Sequence, residues 1–209
     1  MPGFLYSQAI DDFGTWWGVE IKKTFLKDFK AGLRAEVRLN QNSGNLKNFY
    51  LSPSFSYTPR KWLTLGVGYR FDDRYQQAER YFTQRHRVNI DVEFLYNIKR
   101  WDFEYRTRFQ MHWEDYFDND IEYPIMYNRN RLGVAFKWPQ LPFKTSVSGE
   151  LWLPLVSNAE LSSFRLLIGQ EYRLKEKHIF QLRFIFQTDL STPEPVRNYI
   201  ISSRYIFSF

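Results

Sequence analysis

Apolar and polar residues alternate along nearly the whole chain. Between Trp101 and Glu114, the residues Trp101, Phe103, Tyr105, Thr107, Phe109, Met111 and Trp113 share one face. Asp102, Glu104, Arg106, Arg108, Gln110, His112 and Glu114 share the other. A strand sends successive side chains to opposite faces, whereas the 3.6-residue period of a helix would mix the two sets. Leu33 to Leu39 repeats the pattern, with Leu33, Ala35, Val37 and Leu39 opposite Arg34, Glu36 and Arg38. The alternation predicts about eleven strands, at 14–24, 30–40, 48–58, 61–72, 84–98, 101–114, 127–138, 143–153, 163–174, 178–189 and 197–209. Most are well above the usual length of about five or six residues. They match the roughly 9–11 tilted residues that cross a bilayer.

The connections alternate too. Short ones at 25–29, 59–60, 99–100, 139–142 and 175–177 interleave with longer ones at 41–47, 72–83, 115–126, 154–161 and 190–196. Short turns at one rim and longer loops at the other describe an all-β, antiparallel, up-and-down transmembrane β-barrel, with Phe209 ending at the short-turn, periplasmic rim. Single-chain bacterial barrels have an even strand number. The segment from Phe4 to Asp12 is therefore expected to add a weak opening strand, making twelve; ten is the alternative if one segment is over-divided. Residues 1–9 read as the remnant of a signal peptide or a cloning scar, and 10–209 as one barrel domain.

Composition fixes which face looks outward. Aromatic residues are 20% of the chain and charged residues 25%, so the two kinds are finely segregated. One soluble barrel could hardly pack so many rings inside; facing lipid, they need no packing room. Trp62, Trp101, Trp113, Trp138 and Trp152, with Tyr50, Tyr57, Tyr69, Tyr96, Tyr172 and Tyr199, fall near strand ends, as interfacial girdles do. Mean hydropathy is −0.51 and no long apolar run occurs, which excludes a transmembrane helix but not a barrel. The absence of cysteine removes disulfides, thiol catalysis and cysteine metal sites. The net charge of +6 is spread without a basic block, so no nucleic-acid partner is expected.

With the apolar face outward, the enclosed face is expected to carry Arg34, Glu36, Arg38, Arg70, Arg85, Arg87, Asp91, Glu93, Glu104, Arg106, Arg108, Arg129, Arg131, Glu150, Arg165, Glu171, Arg173, Arg183 and Arg204. The planar fork of arginine suits a packed ionic network. Two readings follow. Interlocked Arg–Glu ladders could plug the lumen, or the excess of arginine could line a narrow path that favours a small anionic solute.

Chemistry is sparsely signalled. His86 falls on the apolar face beside an external loop, with Asp72, Asp73, Glu79 and Thr83 near in sequence. That is where an outer-membrane lipid hydrolase or acyltransferase would keep its base, although an interfacial anchor is the plainer role. His112 belongs with the polar face, and His178 is expected at an exposed turn. The acidic stretch Asp115 to Asp120 lacks the glycine and bidentate glutamate of a calcium loop, so neither metal nor cofactor is expected. A soluble lipid-binding barrel is the third alternative.

The motifs Glu36-x-Arg38, Gly68-Tyr69-Arg70, Arg85-x-Arg87, Arg106-x-Arg108-x-Gln110, Arg129-x-Arg131, Glu150 and Arg165-x-x-x-Gly169-x-x-Tyr172 follow one another along successive strands. Together they resemble an uncharacterised, domain-of-unknown-function family of bacterial outer-membrane β-barrels. The terminal Tyr205, Phe207 and Phe209 resemble the signal read by the barrel-assembly machinery. The resemblance implies a barrel, an outer-membrane location and contact with its lipid; it implies no reaction.

Overall fold

The computed structural model describes residues 10–76, 80–114, 124–156, 160–175 and 177–209. Among these, eleven strands close into one barrel: β1 (Ile10–Phe25), β2 (Phe29–Asn40), β3 (Asn45–Arg60), β4 (Leu63–Gln76), β5 (Tyr81–Ile98), β6 (Trp101–Glu114), β7 (Ile125–Lys137), β8 (Phe143–Pro154), β9 (Ser163–Leu174), β10 (His178–Asp189) and β11 (Val196–Ser208). Chain neighbours pair antiparallel, as in β5 on β6 from Arg85↔Glu114 to Ile98↔Trp101. The closing pair is parallel: β1 runs beside β11 from Ile10↔Val196 to Lys22↔Ser208.

This corrects both the strand number and the purely antiparallel closure expected from the sequence. Strands joined by hairpins alternate in direction, so with eleven the first and last point the same way. A parallel ladder still satisfies both edges. Among the described residues Ile10, Asp11 and Asp12 begin β1; the rest of the expected opening strand, from Phe4, lies outside them with residues 1–9. The predicted loop at 72–83 is also mostly strand. The pairs Asp73↔Gln84, Arg74↔Thr83, Tyr75↔Phe82 and Gln76↔Tyr81 extend the β4–β5 hairpin. Charged residues hide the continuing alternation there, in which Phe71 and Tyr75 remain on one face.

Large apolar side chains point away from the barrel axis. Leu132 is 68% exposed, and Trp17, Leu182 and Val19 are each more than half exposed. Glu20, Glu36, Asp102, Arg106, Arg129 and Glu150 are buried. A soluble barrel would show the reverse arrangement. Around the short-turn rim, exposed Trp62, Trp101 and Trp138 join ring contacts such as Phe29 on Tyr57 at 4.6 Å and Trp62 on Phe94 at 6.2 Å. Two expected girdle residues belong elsewhere. Tyr50 is 1% exposed, and Trp152 shares the inward parity of Glu150; both rings lie in the interior.

The chain ends inside the ladder. The Phe209 amide donates to Lys22 O at 3.0 Å, and the Thr24 amide donates to Phe209 O at 3.1 Å. Tyr205, Phe207 and Phe209 lie on the outer face, with Phe207 and Phe209 stacked at 5.6 Å. His178, expected at an exposed turn, instead opens β10 half-buried, its Nδ1 2.6 Å from the Tyr205 hydroxyl and its ring against Phe207. The aromatic alternation of β11 thus reaches across to its antiparallel partner.

Candidate functional site in the charged interior

Inward parity gathers the ionic residues of all eleven strands around a cavity of about 700 Å³. Small residues hollow out the β3–β4 side: Ser52, Ser54, Gly66 and Gly68 line it. A Cβ on Gly68 would come within 3.0 Å of the Asn89 amide, so a larger residue there would push into this space. Among the described residues, sixteen basic but only five acidic side chains line the cavity.

Glu150 on β8 organises the centre. It accepts a hydrogen bond from Arg106, a 2.6 Å bond from Arg129 Nη2 and a 3.1 Å bond from Trp152 Nε1. Arg165 Nη1 lies 3.6 Å away. Arg129 also donates to Gln110 Oε1 at 2.8 Å, and its guanidinium lies over the Trp152 ring at 3.9 Å. Four strands, β6 to β9, therefore meet on one carboxylate. Burial of so many charges is tolerable only with such dense pairing.

A second cluster spans the parallel seam. Arg204 on β11 contacts Glu20 on β1 at 3.6 Å and Glu36 on β2 at 3.3 Å. Arg34 donates to both Glu20 oxygens at 3.2 Å, and Arg38 Nε donates to Glu36 at 2.8 Å. Arg204 is thus a cross-link over the one parallel joint. Replacing it by Gln leaves both carboxylates a remaining arginine, so the expected loss is about 1.5–3 kcal/mol of unfolding free energy. Urea unfolding in detergent micelles reads it.

The rest of the expected set divides by depth. Arg108 holds Asp91 through two bonds of 2.6 and 2.8 Å. Arg131 donates to Glu104, and Arg183 donates to Gln181 at 3.0 Å. Glu93, the cross-strand partner of Arg106, also lines the cavity. Glu171 and the rim-exposed Arg173 pair at 3.0 Å. Arg70, Arg85 and Arg87 lie toward the external end, where Arg70 stacks on the Tyr50 ring at 3.7 Å. Tyr50 is flanked on another side by Arg38 at 4.9 Å, which in turn covers Trp16 at 3.8 Å. Glu20 and Asp72 are absent from the set expected from the sequence, and Asp102, which alternation places on the polar face, joins the interior too, held by Lys137 at 2.8 Å and Lys144 at 2.9 Å. Parity with Lys22, Arg70 and Glu104 was the available signal. Trp16, Tyr50 and Trp152 also line the interior, against the expectation that aromatic residues face outward.

A family model described as "Protein of unknown function (DUF2490)" matches residues 13–197. The chain belongs to the DUF2490 family. None of the curated proteins compared with this DUF2490 chain matches it. Among solved structures it is similar to a bacterial polysaccharide outer membrane secretin, at 11% identity and a TM-score of 0.55. The match covers 84% of this chain but 63% of the secretin, so the DUF2490 chain spans less than two thirds of that protein's length. The β domain of the Bordetella autotransporter BrkA aligns over 82% of this chain and 78% of its own, at 10% identity and a TM-score of 0.49. An anion-selective porin from Comamonas acidovorans aligns over 87% and 53%, at 11% identity and a TM-score of 0.40. At such identities the secretin likeness bears on fold alone: a closed β-barrel of the transmembrane type.

The histidines of the DUF2490 chain divide between the two faces. His86 stands on the outer wall, its Nδ1 2.5 Å from the Tyr69 hydroxyl and its ring against Phe71. Of the acids and hydroxyl expected beside it, Asp72 and Thr83 are buried on the inner wall, where Asp72 accepts from Asn48 at 2.6 Å and Thr83 from Gln76 at 3.0 Å, whereas Asp73 shares the outward parity of Phe71 and His86. The wall separates Asp72 and Thr83 from His86. Glu79 lies outside the described residues. His112 is inward and stacks on Tyr127 at 5.7 Å. Among the described residues no cluster of three or more acidic or histidine side chains is placed to hold a metal; Asp115 to Asp120 lie outside them.

Proposed function

We propose that this chain is a porin-like barrel of the bacterial outer membrane whose interior admits small anions through a narrow, arginine-lined path. The observation that carries the reading is the sixteen-to-five excess of basic over acidic side chains around the main cavity. Fixed positive charge in a low-dielectric enclosure raises the local anion concentration and repels cations. The Glu150 cluster is the constriction: it narrows the passage yet leaves the wall net positive.

The apolar wall contacts outer-membrane lipid, and the outward aromatic ladder of Tyr205, Phe207 and Phe209 is what the barrel-assembly machinery engages. The same Glu150 cluster supports a second reading, a plugged structural scaffold. Planar-bilayer recording separates the two. In a KCl gradient the purified barrel is expected to give small steps with a reversal potential on the chloride side. Absence of steps would favour the plug, and cation selectivity would contradict both the charge argument and the path.

A further inference from the structure

We propose that Arg70, Arg87 and the Tyr50 hydroxyl form a binding site for a doubly charged tetrahedral oxyanion of the phosphate class. The proposal rests on the reading of the interior as anion-accepting and names the solute. Arg70 on β4 and Arg87 on β5 are direct cross-strand partners, and both line the main cavity. Like charges placed opposite each other on one sheet face repel, so the pair calls for a counter-charge.

Of the neighbouring carboxylates, Asp91 holds Arg108 through both oxygens and Glu36 holds Arg38 and Arg204; Asp72, which accepts from the neutral Asn48 amide, is a single negative charge beside the two guanidinium groups. Among the described residues neither Arg70 nor Arg87 is in an ion pair. The Arg87 Nε and the Tyr50 hydroxyl are buried without a hydrogen-bond partner. Buried donors left unpaired are costly and ordinarily find a partner.

The geometry suits a tetrahedral anion. Tyr50 holds the Arg70 guanidinium by its face at 3.7 Å, which leaves the in-plane N–H edge for a ligand. Tyr50, Arg70 and Arg87 line the same cavity. Two guanidinium forks and a hydroxyl offer more donors than a spherical, singly charged chloride can use, and they match the several oxygens of a phosphate. Gly66, Gly68 and Ser52 leave open volume beside them, enough for a small organic group attached to the anion.

The test is calorimetric titration of the whole barrel in detergent micelles with inorganic phosphate and, separately, with glucose 1-phosphate, at fixed chloride. Saturable binding of at least one is expected. Tighter binding of the sugar phosphate assigns the site to an organic phosphate, and tighter inorganic binding assigns it to the free anion. Arg70→Gln and Arg87→Gln are each expected to weaken binding about tenfold or more. Should either misfold, Tyr50→Phe keeps the ring and Arg87→Lys keeps the charge, and both are expected to bind several-fold more weakly. No saturable binding by the parent, or unchanged binding by the folded variants, would overturn the site. Phosphate binding without any conductance would overturn the path and leave the site standing; anion-selective conductance without phosphate binding would do the opposite.

Discussion

Glu150→Gln is expected to cost about 3–5 kcal/mol of unfolding free energy, the loss typical of removing one member of a buried charge cluster. The amide keeps the shape of the carboxylate, so the effect isolates charge. Glu150 is 2% exposed and takes hydrogen bonds from Arg106, Arg129 and Trp152, with Arg165 beside it. Without its charge, three guanidinium groups face one another in an enclosed space. Arg129 keeps Gln110 and Arg165 keeps Gln187, whose Oε1 lies 2.5 Å from Arg165 Nη2, but the Arg106 side chain has no other hydrogen-bond acceptor among the described residues. Equilibrium unfolding in micelles by urea reads the loss. A change below about 1 kcal/mol, the scale of an exposed ion pair, would mean that water already screens the cluster.

Leu132→Arg is the second large effect. Leu132 lies near the middle of β7 on the outer face, between inward Arg131 and Gly133. An arginine on the lipid face at the bilayer midplane costs about 2–4 kcal/mol. In folding assays into lipid vesicles, the variant is expected to lose stability by that amount. Val156→Arg, exposed beyond the end of β8, is expected to be near neutral in the same assay. Equal tolerance of arginine at both positions would mean that Leu132 faces water.

Much of this barrel is legible in the sequence because a strand's two faces demand opposite chemistry. The bounds of β6, β9 and β10 follow from alternation alone, since Trp101 to Glu114 never breaks its parity. Closure is less legible. Parallel pairing of β1 with β11 depends on strand number, and no local residue pattern encodes the hand of that joint. β4 and β5 outrun their expected ends, to Gln76 and from Tyr81, because Arg74 and Gln76 look like loop residues until an enclosed ionic surface is considered. Tyr50, Trp16 and Trp152 were hidden for a related reason. An aromatic ring reads as lipid-facing, yet here each ring's face supports a guanidinium. Which arginine meets which carboxylate depends on cross-strand register and side-chain reach; Arg204 meeting Glu36, 168 residues earlier, is the extreme case.

The natural absence of cysteine makes one experiment direct. Single substitutions to cysteine at each position from Asn130 to Phe136, labelled with a nitroxide in vesicles, report access to oxygen dissolved in lipid. Labels at Leu132, Val134 and Phe136 should show high oxygen access, and those at Arg131, Gly133 and Ala135 low access. Peaks at the arginine and glycine positions instead, or no two-residue period at all, would contradict a barrel that turns its apolar wall to the membrane and its ionic wall inward.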